Sequence, residues 1–470
     1  MVDQRRFIDL STSQSSGARG SAPPARTRCG AVNRTPESST LQGVCFLLGI
    51  SALLLLTAAS VSAQDQAVVI RNARVHTLSP AGTLERATVV IADGKIKGVG
   101  ASVKSPAGAR VIDGRGLEVY PGMINAWSSI GLTEIGAVDV TNDSREQGSY
   151  KPQLLAFSAI NPASEHLPVA RVNGITTSMS VPAGGVIAGQ AVLLHLDGWT
   201  ADEMAILKSA GMVISFPSLG PSRGASGTGF ARTARRGFPE IKREYENQVK
   251  ELSEWFEKAR HYARARQANP STPADLQLEA LIPVVQGRMT VFLVANSARD
   301  IRNAVEFGRK EKLKFVIQGG LEADQIAELL KKENVSLILD PVIALPTRED
   351  DAYDARFTLP SALAKAGIKF AIASTGSSDL RNLPYEAGVA SAYGLPRDEA
   401  LRAVTLNPAE ILGVADRVGS IEAGKIADLV VTDGDLLEMR TQVKYLFIAG
   451  RGVSLETRHT RLYEQYRARP

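Results

Sequence analysis

Cysteine is nearly absent from this chain: the two that occur, Cys29 and Cys45, stand within the first 63 residues. A chain matured past that point has no disulfide, no thiol nucleophile and no thiolate metal ligand. Histidine is equally scarce, with five in 470 residues: His76, His166, His195, His261 and His459. No two stand within one helical turn or one strand step of each other, which excludes a locally spaced His-built zinc site. No basic stretch with interleaved aromatics is recognised, so nucleic acid is not an expected partner. Six of the arginines but only three acids fall in residues 1–63, so much of the net charge of +5 belongs to that segment.

What the first 63 residues do contain is a leader pattern. Residues 1–40 are rich in Ser, Arg, Pro and Gly, with no apolar period, and cannot bury enough surface to order. The apolar run Val44–Ala59 has 16 residues, short of the ~20 that span a bilayer. Val61-Ser62-Ala63 follows, with small residues where a signal peptidase reads them. The expectation is cleavage near Ala63, export to a periplasmic or extracellular space, and no stable membrane span afterwards. The long polar lead before the apolar run is unusual for a signal peptide and raises a later start codon.

The remainder divides by pattern. Residues 64–120 read as short strands, with Ala92-Asp93-Gly94-Lys95 as a hairpin turn between β-branched runs. Residues 418–470 repeat that grammar around Ala427–Val431 and Lys444–Ile448. Neither end can close a sandwich alone, so the two are expected to share one small β-sandwich domain. Between them, 121–417 alternates short apolar runs with helical patterns, which predicts a parallel sheet with crossover helices. Expected strands are Gly122–Ala126, Ile175–Ser180, Ala191–Leu196, Val291–Val294, Phe315–Ile317, Leu337–Leu339 and Phe370–Ala373. Expected helices are Ala298–Lys312, Glu322–Lys332 and Asp398–Leu412. The span suits an α/β fold of the TIM (β/α)8 type. It carries a helical insertion near 238–267, where Ile241, Tyr245, Val249, Leu252, Phe256, Ala259 and Ala263 form one stripe. Glu246–Lys250 and Glu254–Lys258 are expected as ion pairs on its wet face.

Three segments resemble one known family. They are Pro121-Gly122-Met123-Ile124-Asn125-Ala126, the run Asn382–Ala409, and Gly419-Ser420-Ile421-Glu422-Ala423-Gly424-Lys425-Ile426-Ala427-Asp428-Leu429-Val430-Val431. The chain is similar to the amidohydrolase superfamily, imidazolonepropionase-like members above all. The resemblance implies a metal-dependent hydrolase of non-peptide C–N bonds, with zinc or another divalent ion at the barrel mouth activating water. It also implies where the ligands belong. The His-x-His of the first strand falls on Trp127 and Ser129, the fifth-strand histidine on Asn296, the sixth-strand histidine on Gly319 and the eighth-strand aspartate on Gly376. The fourth-strand lysine of many members falls at His195.

None of these five positions keeps a usual ligand, so no metal and no cofactor is expected. Two readings remain. In the first, the barrel is non-catalytic and binds a small molecule or a protein partner. Its pocket is made by Trp127, Ser129, Asn296, Gly319 and Gly376, with Asp350 and Asp351 from the acidic loop after the seventh strand. In the second, a C–N hydrolase works with a rebuilt site around His195, Asp379 and the acidic loop 349–354. Homo-oligomerisation is compatible with either.

Overall fold

The computed structural model describes residues 66–220, 237–347 and 351–469. The leader, its cleavage site and Asp350 lie outside the described residues. The first strands are β1 (Val68–His76), β2 (Thr83–Ala92), β3 (Lys95–Gly100), β4 (Arg110–Asp113) and β5 (Glu118–Pro121). Asp93 and Gly94 take φ of +51° and +71° between β2 and β3. Two successive left-handed residues make the turn whose twist matches a hairpin, and Asp-Gly tolerates it. Asn72, at φ +60°, sits where the β1–β2 register shifts between Ile70 and Ala73, a bulge carried by a residue type that visits this region readily.

The barrel strands follow: β6 (Met123–Ser128), β7 (Ile175–Ser180), β8 (Ile187–His195), β9 (Ala205–Ser215), β10 (Val291–Ala295), β11 (Phe315–Gly319), β12 (Leu337–Leu339) and β13 (Phe370–Ile372). They form one sheet in sequence order. Alternation sorts each strand into two layers. Val291, Leu293, Ile317, Leu337, Leu339 and Ile372 face the helices. Ile124, Met179, Leu193, Phe292, Val316 and Ile338 fill the interior, which is a packed core as in other barrels of this type.

Two features depart from the sequence reading. The strand β9 was not foreseen, because Lys208, Ser209 and Gly211 interrupt its apolar run. And the sheet is not wholly parallel: β8 runs antiparallel to both β7 and β9. At the seam between β6 and β13 one side chain bridges the two strands. Asn125, fully buried, accepts from the Ser374 N–H at 2.8 Å and donates to the Ser374 carbonyl at 3.1 Å. Its amide thus does what a neighbouring peptide does elsewhere in the sheet.

The chain then returns through β14 (Leu429–Thr432), β15 (Val443–Ile448) and β16 (Arg451–Gly452). β14 pairs β5 in antiparallel register, Val430 opposite Tyr120. Both ends of the described chain therefore share one eight-stranded sheet, in the order β16-β15-β14-β5-β1-β2-β3 with β4 on β1. This is a single curled sheet and not two separate ones. Its far edge returns to the C-terminal segment, where Ile96 N–H donates to the Lys425 carbonyl at 2.9 Å. Ile70, Val89, Ile91, Val119, Leu429 and Phe447 lie in its core.

The insertion is a helix, Phe238–Ala268, that buries Leu252, Phe256, Ala259 and Tyr262. Phe256 meets Phe307 of the barrel helix Ala298–Lys310 at 6.1 Å. Its wet-face pairs are shifted from those expected: Lys242 with Glu246 and Lys250 with Glu254. Among the described residues no helix is long and apolar enough to cross a membrane.

Candidate functional site

The mouth of the barrel lies where the parallel strands end, and four of those ends carry residues singled out above. Trp127, near the end of β6, lies in a register shift between Asn125 and Ser128. That shift lets its indole turn onto the interior, edge-on to Phe292 at 5.8 Å and 76°. Such a pair contributes roughly 0.5–1.5 kcal/mol beyond burial. Ser129 sits just past β6. Its hydroxyl lies 3.0 Å from that of Ser377, and its N–H donates to the Thr375 carbonyl, so the ends of β6 and β13 are stitched together.

Asn296 and Gly319 are also brought together. Gly319 ends β11 at φ +101°, a conformation L side chains rarely adopt. A Cβ there would stand 2.3 Å from the Asn296 Oδ1. The space a sixth-strand side chain would need is thus held by the amide of the fifth-strand position. At Gly376, a Cβ would stand 2.8 Å from the Asp379 Oδ2. The Asp379 carboxylate, exposed, therefore flanks Gly376, where the resemblance puts an aspartate, three residues along the chain. Asp351 accepts from the Thr347 N–H at 3.1 Å.

Three further polar residues at this end were not foreseen. Asp340 follows β12 directly and accepts from the Gln318 Nε2 at 2.6 Å. Burial raises its pKa, against the Gln318 hydrogen bond and the Arg356 charge. Glu386, on the helix Leu383–Ala392, is 3% exposed. Its Oε2 accepts from the Ile343 N–H at 2.6 Å. Burial pushes its pKa from 4.5 up to about 7, the backbone N–H groups of Ile343 and Val342 opposing and the Asp379 charge adding. Arg356 reaches across to the Thr347 hydroxyl at 2.7 Å, while its Nε is buried without a partner. Asp340 had a legible signal, since a polar residue immediately past a barrel strand faces the mouth. Glu386 had none in its local sequence.

His195 is elsewhere. It pairs opposite Thr177, near the start of β7, and its neighbour Leu194 pairs opposite Ala205, the first residue of β9. Because β8 is antiparallel, its C-terminal end lies at the opposite end of the barrel from the mouth. There the His195 Nε2 meets the Asp428 Oδ2 at 2.9 Å, both side chains being buried. The other Asp428 oxygen accepts from the Ala449 N–H at 2.8 Å. His195 therefore joins the barrel floor to the β-domain and cannot work with Asp379. The remaining histidines also lie away from the pocket residues: His76 pairs with Glu118, His166 with the Glu134 carbonyl, His261 stands beside Glu257, and His459 is on the exposed helix Arg458–Arg467.

Zinc of the kind the resemblance implies requires about four donors of His, Cys or carboxylate type at ~2.0–2.3 Å. Indole and glycine provide none, and a hydroxyl or amide oxygen is a poor partner without anionic help. Among the described residues no three His, Cys, Asp or Glu converge in a metal-holding group. Asp340 and Glu386 are aimed at Gln318 and the Ile343 amide instead. The donor set does not fit the ion.

A family model described as the amidohydrolase family matches residues 298–453. The amidohydrolase tasK of Hapsidospora irregularis is 22% identical over 399 residues, covering 78% of this chain and 39% of that protein. The imidazolonepropionase of Syntrophobacter fumaroxidans is 27% identical over 201 residues, covering 36% of this chain and 46% of that protein. The matches thus span less than half the length of these relatives. Among solved structures, an amidohydrolase from Thermotoga maritima superposes with a TM-score of 0.71 at 24% identity, over 82% of this chain and 99% of that one.

Proposed function

This chain belongs to the amidohydrolase superfamily, and we propose that its barrel mouth binds a polar small molecule or a partner without metal-dependent hydrolysis. The observation that supports the reading is the set of non-ligating side chains at the strand ends where the resemblance puts metal ligands. The Trp127 indole lies against Phe292, and the Asn296 amide occupies the space beside a left-handed Gly319. The strand ends at the mouth also carry Ser129, Ser377, Asp379, Asp340 and Gln318, which supply hydrogen-bonding groups. A barrel mouth of that composition can orient a ligand through a few placed polar groups.

One observation favours a second reading, a C–N hydrolase with a rebuilt site: the Asp379 carboxylate flanks Gly376. An exposed carboxylate can accept a proton from water, though the position of His195 on the barrel floor leaves Asp379 without a histidine partner. Elemental analysis of the purified protein after dialysis separates the two. It is paired with a screen of amide, imide and dipeptide substrates, with and without added Zn²⁺ or Mn²⁺. The expected result is no stoichiometric metal and no turnover. Stoichiometric metal, or turnover abolished by Asp379→Asn, overturns the first reading.

A further inference from the structure

The last helix, Arg458–Arg467, buries none of its residues against the body. It is held from its N-terminus, where Thr457 and Thr460 cap each other reciprocally. Its two faces are set the wrong way round for a helix of a folded domain. Thr460, Arg461 and Glu464 line a surface groove with Leu455 and Glu456, and Arg461 is paired with Glu165 at 3.6 Å, so the side nearest the body is polar. At 100° per residue, His459, Leu462, Tyr463 and Tyr466 share the opposite side. Leu462, Tyr463 and Tyr466 are 39%, 63% and 54% exposed. Arginines flank this stripe. The Arg467 guanidinium lies over the Tyr463 ring at 5.7 Å, and that of Arg469 lies over Tyr466 at 4.3 Å. An amphipathic helix ordinarily buries its apolar stripe; here the stripe faces out. The expectation that no basic stretch interleaves aromatics overlooked this segment, whose alternation is visible only on the helical period.

We propose that this face docks on an anionic lipid surface. Residues 458–469 carry four arginines against one acid, Glu464, so a second copy would bring like charges together. Tyrosine suits the headgroup level, with an apolar ring and a polar tip. Arginine can lay its apolar stem along the acyl boundary and leave its charge among phosphates. A further exposed aromatic stands near the body-facing side of this helix. Trp199, 92% exposed, stands on the rim of a ~550 Å³ groove that Arg451 and Arg461 also line. The attachment is peripheral and reversible, since the apolar stripe is short and the attraction is screened by salt.

The test is sedimentation of the full-length protein with vesicles of phosphatidylcholine plus phosphatidylglycerol, against vesicles of phosphatidylcholine alone. The emission of Trp199 is read in parallel, with Trp199→Phe as its control. The leader is common to every variant. Each arginine near an anionic surface is worth about fivefold in affinity. The combined change Arg458→Gln, Arg467→Gln and Arg469→Gln is therefore expected to weaken binding roughly hundredfold and to flatten its salt dependence. Tyr463→Ser with Tyr466→Ser should weaken it at any salt. All five side chains are exposed, so circular dichroism should not change. Equal binding to both vesicle types, or binding untouched by the arginine changes, overturns the proposal. So does preference for poly-glutamate or duplex DNA over the anionic vesicles.

Discussion

Glu386 makes stability depend on pH in a direction opposite to most carboxylates. Its pKa is raised from 4.5 to about 7, first by burial, so the folded state binds its proton more tightly than the unfolded chain does. The contribution of the neutral form is fully present below 4.5 and is lost as pH rises through about 7. A displacement of that size corresponds to roughly 3 kcal/mol at most. The perturbation is Glu386→Gln, which keeps an oxygen to accept from the Ile343 N–H and removes the titration. Urea unfolding of both proteins between pH 4 and pH 8 is the assay. Below pH 4.5 the two should be nearly equal; by pH 8 the variant should be more stable by roughly 1–3 kcal/mol. A difference that does not change with pH, or one that grows in the opposite direction, would refute the assignment of the shift to this buried carboxyl.

Three other outcomes follow from the geometry. His195→Ala should destabilise the fold by about 3–5 kcal/mol, because Asp428 is left buried without its partner, while ligand binding at the mouth stays as it was; altered mouth binding in a folded variant would contradict the floor position of His195. Asn125→Ala should cost about 2–4 kcal/mol by orphaning the buried Ser374 N–H and carbonyl, and amide exchange should rise first along β6 and β13. Gly319→Ala should cost about 1–3 kcal/mol from backbone strain and contact with the Asn296 amide, part of it recovered when Asn296→Gly is added; strictly additive losses in that double-mutant cycle would place the two residues out of contact.

Much of this protein can be read from residue order alone, because it rests on local period and residue type. The Asp93-Gly94 turn, the stripe of the helix Phe238–Ala268 and the apolar runs at β10 to β13 are properties of short segments, and short segments determine them. The presence of Trp127, Ser129, Asn296, Gly319 and Gly376 where the resemblance puts metal ligands is of the same kind, since side-chain chemistry does not depend on folding. Direction and pairing are different. A strand buried on both faces, such as Ile187–His195, carries no mark of which way it runs, and only its neighbours β7 and β9 set it antiparallel. That choice took His195 from the mouth to the floor and gave it to Asp428, a residue 233 positions away. The same holds for Glu386, whose raised pKa comes from burial that only the packed fold creates, against the opposing hydrogen bonds from Ile343 and Val342 after β12. It holds also for Gly319, whose left-handed backbone and neighbouring Asn296 amide exist only once β10 and β11 lie side by side. Contacts between distant segments are settled by the packing of the whole chain, where many weak local preferences yield to one arrangement that buries the core and satisfies its polar groups.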